Sequence, residues 1–355
     1  MPNLKKRKIK YSDAINEAIQ ISMHENKNSI CIGLGVDDPK SIFNTTKNLK
    51  KIFGEERVFD TPTSENALTG IAVGASLANY SVILTHQRLD FSLLSFDQII
   101  NSAAKWFFMF GGKKNVQITI RLIVGRGWGQ GPTHSQSLQS LFAHIPGLKV
   151  VMPSTPYDAK GLLLQSIRDK NPVIFIEHRW LHHQIGYVPE KKYTIPISLP
   201  NILNKGLNVT IVSMSYMTIE AIEAVKILKE SKITCDLIDL RTINPLNFKK
   251  IFNSVKKTGN LIVLDTSNSS FSVASEIISQ VCIKCMNYLK NNPVKIALPD
   301  IPTPTSYQLT KKFYPGKIEI INAVSKLTKI KIKDKDMITR NKHHDVPGEW
   351  FKGPF

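Results

Sequence analysis

Apolar positions along the chain switch repeatedly between helical and strand spacing. Residues 11 to 25 place Ala14, Ile15, Ala18, Ile19, Ile21 and Met23 behind Ser12 or Asp13, which predicts an amphipathic helix. Ser29-Ile-Cys-Ile-Gly33 then reads as a strand. The alternation continues through Phe59, a helix of small residues from Gly70 to Ala78, Ser81-Val-Ile-Leu84, a helix around Ser95 to Phe110, Ile118 to Val124, and Leu148 to Met152. A second series follows, with strands at Val209 to Ser213, Cys235 to Asp239, Leu261 to Asp265 and Val294 to Ala297. Helices at Thr218 to Glu230, Phe248 to Lys256 and Val273 to Leu289 separate them. Such alternation implies parallel sheets with helices on both faces, an α/β fold class. Pro, Gly and Lys break the pattern between about 186 and 206. We expect a first domain over 1–190, a linker over 191–206, a smaller α/β domain over 207–330, and a tail over 331–355 that turns from basic to aromatic. Trp350, Phe351 and Phe355 would gain by burial, so the tail is expected to dock on the globular body or on a partner subunit.

At 355 residues and 42% hydrophobic, the chain can build two cores. A formal charge of +19 raises the question of nucleic acid. The lysines are dispersed over apparent helix faces without interleaved aromatics, which fits solvated lysines and no nucleic-acid partner. Lys5, Lys6, Arg7, Lys8 and Lys10 are not followed by the apolar core of a signal peptide, and no apolar run approaches the roughly 18 residues of a membrane span. Cys31, Cys235, Cys282 and Cys285 do not make a disulfide framework, so a cytoplasmic protein with reduced thiols is expected.

The candidate chemistry starts at Glu65, where a strand-like stretch ends and the small-residue helix begins behind Pro62 and Ser64. By itself it reads equally as an acid at the positive end of a helix. Gly125-Arg-Gly-Trp-Gly-Gln-Gly131 permits close backbone approach to a ligand, or is a surface loop, and His134 follows it. His86, Arg88 and Asp90 put three titratable groups into Thr85 to Gln98. Arg88 would hold an anionic substrate group or pair internally with Asp90. Asp169 and Asn171 are ordinary turn residues before Pro172. Glu177-His-Arg-Trp-Leu-His-His183 lacks ordered metal-ligand spacing, and His178 and Arg179 are left as substrate-side or subunit contacts.

Together, Arg57-Val-Phe-Asp-Thr-Pro62, Ser64-Glu65, Asp97-Gln-Ile-Ile-Asn101, Thr133-His-Ser-Gln136, Pro146-Gly-Leu-Lys-Val-Val-Met-Pro153, Asp158-Ala-Lys-Gly-Leu162, Asp169-Lys-Asn-Pro-Val173, Ile238-Asp-Leu-Arg-Thr-Ile-Asn-Pro-Leu246 and Pro299-Asp-Ile-Pro-Thr-Pro304 resemble a known family. It is that of the β subunits of the thiamine-diphosphate-dependent first component of 2-oxo acid dehydrogenases. The resemblance covers nearly the whole chain. It implies a transketolase-like pyrimidine-binding domain followed by a transketolase C-terminal domain. It also implies that Glu65 meets the pyrimidine ring nitrogen from a buried position against a cofactor-sized cleft, that Leu89 and Phe91 lie beside that ring, and that His134 stands near the reacting carbon. His86, Arg88, Asp90 and His178 become substrate-side candidates. Ile118, Ser166, Ile167, Asp169 and Asn171 resemble a structural potassium site.

The family marks its Mg2+ and diphosphate site with Gly-Asp-Gly, which this chain lacks. The resemblance therefore implies an α subunit that holds Mg2+ and the diphosphate in an α2β2 assembly, with β-β association and a lipoyl acyltransferase as a further partner. The implied activity is oxidative decarboxylation of a 2-oxo acid with acyl transfer to a lipoyl group. The alternatives are an acetoin-dehydrogenase-like or transketolase-like carbon-carbon bond enzyme with a non-lipoyl acceptor, and a scaffold that kept only the fold.

Overall fold

In a computed structural model, residues 7–332 are described; the aromatic tail lies outside them. The chain divides into two compact units, one of residues 7–125 and 141–197, the other of 126–140 and 198–332.

The first unit is organised by six strands: β1 (Ser29–Gly33), β2 (Val58–Phe59), β3 (Ser81–His86), β4 (Ile118–Val124), β5 (Lys149–Val151) and β6 (Val173–His178). They run in the order β5-β6-β4-β3-β1-β2 with every one of these pairings parallel. β1, β3, β4 and β6 are buried along their whole length, as strands covered on both faces must be. The helices α1 (Tyr11–Glu25), α2 (Glu65–Leu77), α3 (Ala104–Met109) and α4 (Pro156–Arg168) belong to this unit. α4 starts cleanly because Pro156 follows Thr155, whose hydroxyl accepts from the Asp158 backbone N–H at 3.1 Å.

Two local geometries depart from the sequence pattern. The single helix expected around Ser95 to Phe110 is a 3-10 turn at Leu89–Ser95, a π-helical turn at Gln98–Ala103, and then α3. The Ser92 and Ser95 hydroxyls donate to the carbonyls of Leu89 and Ser92 three residues back, at 2.6 and 2.9 Å, which favours the tighter turn. Ser41 to Asn44 all have positive φ, from 44 to 68°, a left-handed turn built without glycine. The Thr45 hydroxyl closes it by donating to the Ile42 carbonyl at 2.8 Å.

The core of the first unit contains a charge network. Arg121 on β4 and Glu177 on β6 are both fully buried and meet through Nε–Oε1 at 2.6 Å and Nη2–Oε2 at 3.1 Å. Arg121 also donates to Thr45 Oγ1 at 2.9 Å and Thr85 Oγ1 at 3.4 Å, and His182 Nε2 lies 2.9 Å from Glu177 Oε2. Burial alone would raise the Glu177 pKa, but Arg121 and then His182 hold it at about 2. The His182 pKa also falls, to about 4, because burial outweighs the pull of Glu177; the neutral ring then donates its N–H to the carboxylate.

The second unit carries β7 (Asn201–Asn204), β8 (Val209–Ser213), β9 (Cys235–Asp239), β10 (Leu261–Asn268) and β11 (Val294–Leu298) in the order β11-β10-β8-β9-β7. All are parallel except β7, an antiparallel edge strand on β9. The expected linker over 191–206 thus contains a strand, disguised by Pro200 and Lys205. α5 (Tyr216–Glu230) and α8 (Lys317–Thr328) pack Met217, Ala221, Leu228, Ile320 and Val324 on one face of the sheet, while α6 (Phe248–Thr258) and α7 (Val273–Cys285) complete the layers. α7 stops at Cys285, short of the expected Leu289, and passes into a 3-10 turn at Met286–Tyr288.

Two stability predictions follow from these contacts. Glu177→Gln leaves a buried guanidinium without its charge partner and should cost about 3–5 kcal/mol, read from the urea midpoint. Lys232, exposed after α5 with φ 61°, donates its N–H to the Lys229 carbonyl at 3.0 Å in a helix-ending turn that suits glycine. Lys232→Gly should therefore stabilise by about 1 kcal/mol; an unchanged or lower midpoint would refute it.

Candidate functional site

Parallel sheets bind ligands beyond the carboxyl ends of their strands, where neighbouring connections leave in opposite directions. In the first unit that point lies between β1 and β3, because β2 flanks β1 on one side and β3 and β4 follow on the other. A shallow hollow opens there. Leu34 enters from the end of β1, Thr85, His86 and Gln87 from the end of β3, Pro62 to Glu65 and Leu68 from the start of α2, and Phe91 from the following turn. Gly33 allows the two strand ends to close up, since a Cβ there would lie 2.4 Å from the Thr85 carbonyl oxygen. Gly35, at φ 81°, leaves room for the Gln87 amide.

Glu65 is the first residue of α2, at the positive end of the helix. It is half-buried, not buried as expected, because its position at the helix start faces the mouth of the hollow. Phe91 is half-buried and lines the hollow. Leu89 does not: it is fully buried in the core, because at three residues per turn its side chain points about 120° away from that of Phe91. Leu34, Leu68, Thr85 and Gln87 are wall residues that sequence reasoning passed over. The signal for them was available in Gly33-Leu-Gly35 directly after a strand, and in Gln87 directly after another.

Among the substrate-side candidates, only His86 reaches this hollow. It is 3% exposed, with Nε2 3.3 Å from Thr69 Oγ1, and burial lowers its pKa to about 4, so the ring is neutral near pH 7. Arg88 lies over the Phe43 ring at 5.1 Å, and Arg179 lies over the same ring at 4.3 Å. Burial lowers the pKa of Arg88, and the Asp90 charge opposes that shift, so the two groups act on each other inside the fold. Burial and then Arg88 bring Arg179 to about 10. His178, at the end of β6, is buried and uses Nδ1 to accept the Trp180 backbone N–H at 3.2 Å, capping the turn Arg179–Leu181. That is a structural task.

His134 belongs to the second unit. It is exposed, follows the turn Gly131–Thr133, and places Nδ1 3.0 Å from Thr133 Oγ1.

The oxygens of the expected potassium site carry hydrogen bonds within the protein. Asp169 gives one carboxylate oxygen to the Lys149 ammonium at 2.5 Å and the other to the Asn171 backbone N–H at 3.0 Å. The Ile167 carbonyl accepts from the Gln117 amide at 2.8 Å, the Ser166 carbonyl from the Asp169 N–H at 3.1 Å, and Asn171 Oδ1 from Asn115 at 3.2 Å.

Comparison with known proteins identifies the family. The transketolase pyrimidine-binding domain matches residues 7–183, and the transketolase C-terminal domain matches 200–320. The chain is 40% identical over 333 residues to the acetoin:2,6-dichlorophenolindophenol oxidoreductase subunit beta of Cupriavidus necator, covering 91% of this chain and 98% of that one. The chain belongs to the β-subunit family of acetoin and 2-oxo acid dehydrogenases. To the pyruvate dehydrogenase E1 component subunit beta of Rickettsia felis it is 36% identical, over 89% of this chain and 97% of the relative. A solved split-gene transketolase, described as an inactive beta4 tetramer, superposes with a TM-score of 0.72 at 20% identity, over 91% of this chain and 99% of that one. This last likeness concerns the fold alone. The β-subunit family is one of thiamine-diphosphate-dependent oxidoreductases. No helix among the described residues is long and apolar enough to cross a membrane.

The buried histidines make a pH prediction. His86, His182 and His183 all fall to about 4 in the folded chain, chiefly through burial, from an ordinary value of 6.5. The unfolded chain therefore binds more protons between these values, and stability should fall as pH drops from about 6.5 towards 4. Thermal melting across that range checks it; His86→Phe should flatten the slope, and a constant melting temperature from pH 7 to 5 would contradict the assignment.

Proposed function

We propose that this chain supplies the pyrimidine half of a thiamine-diphosphate site and becomes active with an α subunit that carries Mg2+ and the diphosphate half. The single observation behind this reading is the Glu65 carboxyl at the mouth of the β1/β3 hollow, beside Phe91. The donor set suits an aminopyrimidine: a carboxyl for a ring nitrogen, an aromatic ring for its face, and Leu34 and Leu68 for its apolar edge.

When bound, the cofactor would act as an electron sink for a bond broken next to a carbonyl group. Glu65 would hold the proton shared with the pyrimidine ring nitrogen. Phe91, Leu34 and Leu68 would exclude water from that contact, which strengthens it. His86, neutral at working pH, would add polarity to the wall without competing charge. His134 would serve as the acid or base for the substrate oxygen. The substrate in this reading is a 2-oxo acid, decarboxylated oxidatively, with the acyl group passed to a lipoyl arm of an acyltransferase. An acetoin-cleaving enzyme is a second reading, favoured by the 40% identity to an acetoin enzyme against 36% to a pyruvate enzyme. An α2β2 assembly with β-β association, working in the cytoplasm, completes the proposal.

Co-expression with the α-like chain of the same organism, followed by assays on 2-oxo acids and acetoin, tests it. Glu65→Gln should lower thiamine-dependent turnover by about 10²–10⁴-fold, the usual share of acid-base catalysis. Near-normal turnover in that variant would remove the assignment, and the absence of turnover with any α partner would favour a scaffold.

A further inference from the structure

With the antiparallel edge strand β7 left aside, the parallel strands of the two sheets share one order, 2-1-3-4, and each sheet therefore reverses its winding, the place for a crevice, at the carboxyl ends of its first and third parallel strands. In the first unit that crevice is the hollow with Glu65. In the second it lies between β8 and β10, and the chain itself occupies it. Segment Arg126–Ser140 belongs to this unit although its sequence falls within the pyrimidine-binding match.

Contacts fasten the segment near both ends. At its start, the Arg126 guanidinium, 8% exposed, lies 4.0 Å from the centre of the Tyr314 ring and 5.0 Å from that of Tyr216, the first residue of α5 after β8. Tyr216 is itself held, donating its hydroxyl to Glu220 at 2.8 Å. Towards its end, Gln139 is fully buried and donates Nε2 to Asp265 Oδ1 at 2.6 Å and to Thr266 Oγ1 at 3.1 Å, both on β10. Ser137 Oγ lies 2.9 Å from Thr266 Oγ1. Between these ties, Gly131 at φ 65° passes so close to Thr305 that a Cβ would meet its hydroxyl at 2.5 Å. His134 is the exposed crest of this fastened stretch.

We infer that Arg126 and Gln139 are positioning residues, and that the second domain contributes to the reaction by holding the His134 segment in its own ligand crevice. The domain's ligand is a piece of the chain. This rests on the role proposed for His134, but the holding itself is measurable without any turnover.

Hydrogen exchange on the full chain reads it directly. In the parent protein, amides of 126–140 should be protected. Arg126→Met and Gln139→Ala should each speed exchange there by about tenfold or more, with β10 unchanged, and Arg126→Lys should recover much of the protection because it keeps a cation over the two rings. With the α subunit, both losses should lower kcat while the KM for thiamine diphosphate stays constant. If Gln139→Ala melts the fold, Ser137→Ala removes only a hydroxyl and takes its place. Exchange in 126–140 that is fast in the parent, or unchanged in the variants, overturns the inference. His134→Ala should abolish turnover and leave exchange as it was; turnover retained in that variant would sink the role of His134 while leaving the holding intact.

Discussion

One ion pair constrains the first unit more than any other contact. Arg121 and Glu177 sit on adjacent central strands without access to water, where an unmatched charge would cost several kcal/mol. The fold must therefore bring a partner to every remaining donor and acceptor. Thr85 is drawn in from β3, Thr45 from the end of the left-handed turn, and His182 from the turn after β6. Thr85 is also a wall residue of the hollow, so the geometry that satisfies the buried charges also fixes the strand end from which His86 and Gln87 project. The left-handed turn presents Phe43 to the guanidinium groups of Arg88 and Arg179. Stability and site architecture share these residues.

The two units illustrate how one topology serves two ends. Each sheet reverses its winding beside its first parallel strand, and each reversal leaves a crevice. One crevice is lined by Leu34, Leu68 and Phe91 together with Thr85, His86 and Gln87, with a single carboxyl at its mouth. The other is filled by a glycine-rich segment whose own side chains supply the hydrogen bonds and ring contacts that a ligand would otherwise make. A fold alone does not dictate function; what lines or fills its crevice does.

Much of this was legible in the sequence, for physical reasons that also explain the rest. β1, β4, β8 and β9 are buried along their length and their apolar residues read as strands despite Arg121 and Asp236, whereas β6, which ends in Glu177 and His178, did not. Ser64-Glu65 before a helix of small residues lies at the hollow, although the carboxyl is less buried than expected. The Leu89 and Phe91 assignment depended on the phase of a 3-10 turn that looked like a continuous helix, so the core residue and the wall residue could not be told apart. The turn at Ser41 to Asn44 carries no glycine to announce its positive φ. The Lys149–Asp169 ion pair joins residues 20 apart, and no local pattern announced it. The allegiance of residues 126–140 to the second unit depends on pairings more than 80 residues apart, such as Arg126 with Tyr216, and no local pattern encodes those.

The account stands or falls on where the Glu65 carboxyl lies once both halves of the site are assembled. A crystal structure of this chain with its α partner and thiamine diphosphate measures that directly. The prediction is a carboxyl oxygen within about 2.6–3.2 Å of the pyrimidine ring nitrogen, with Phe91 against the ring. A pyrimidine bound elsewhere, with Glu65 directed into solvent, would contradict it.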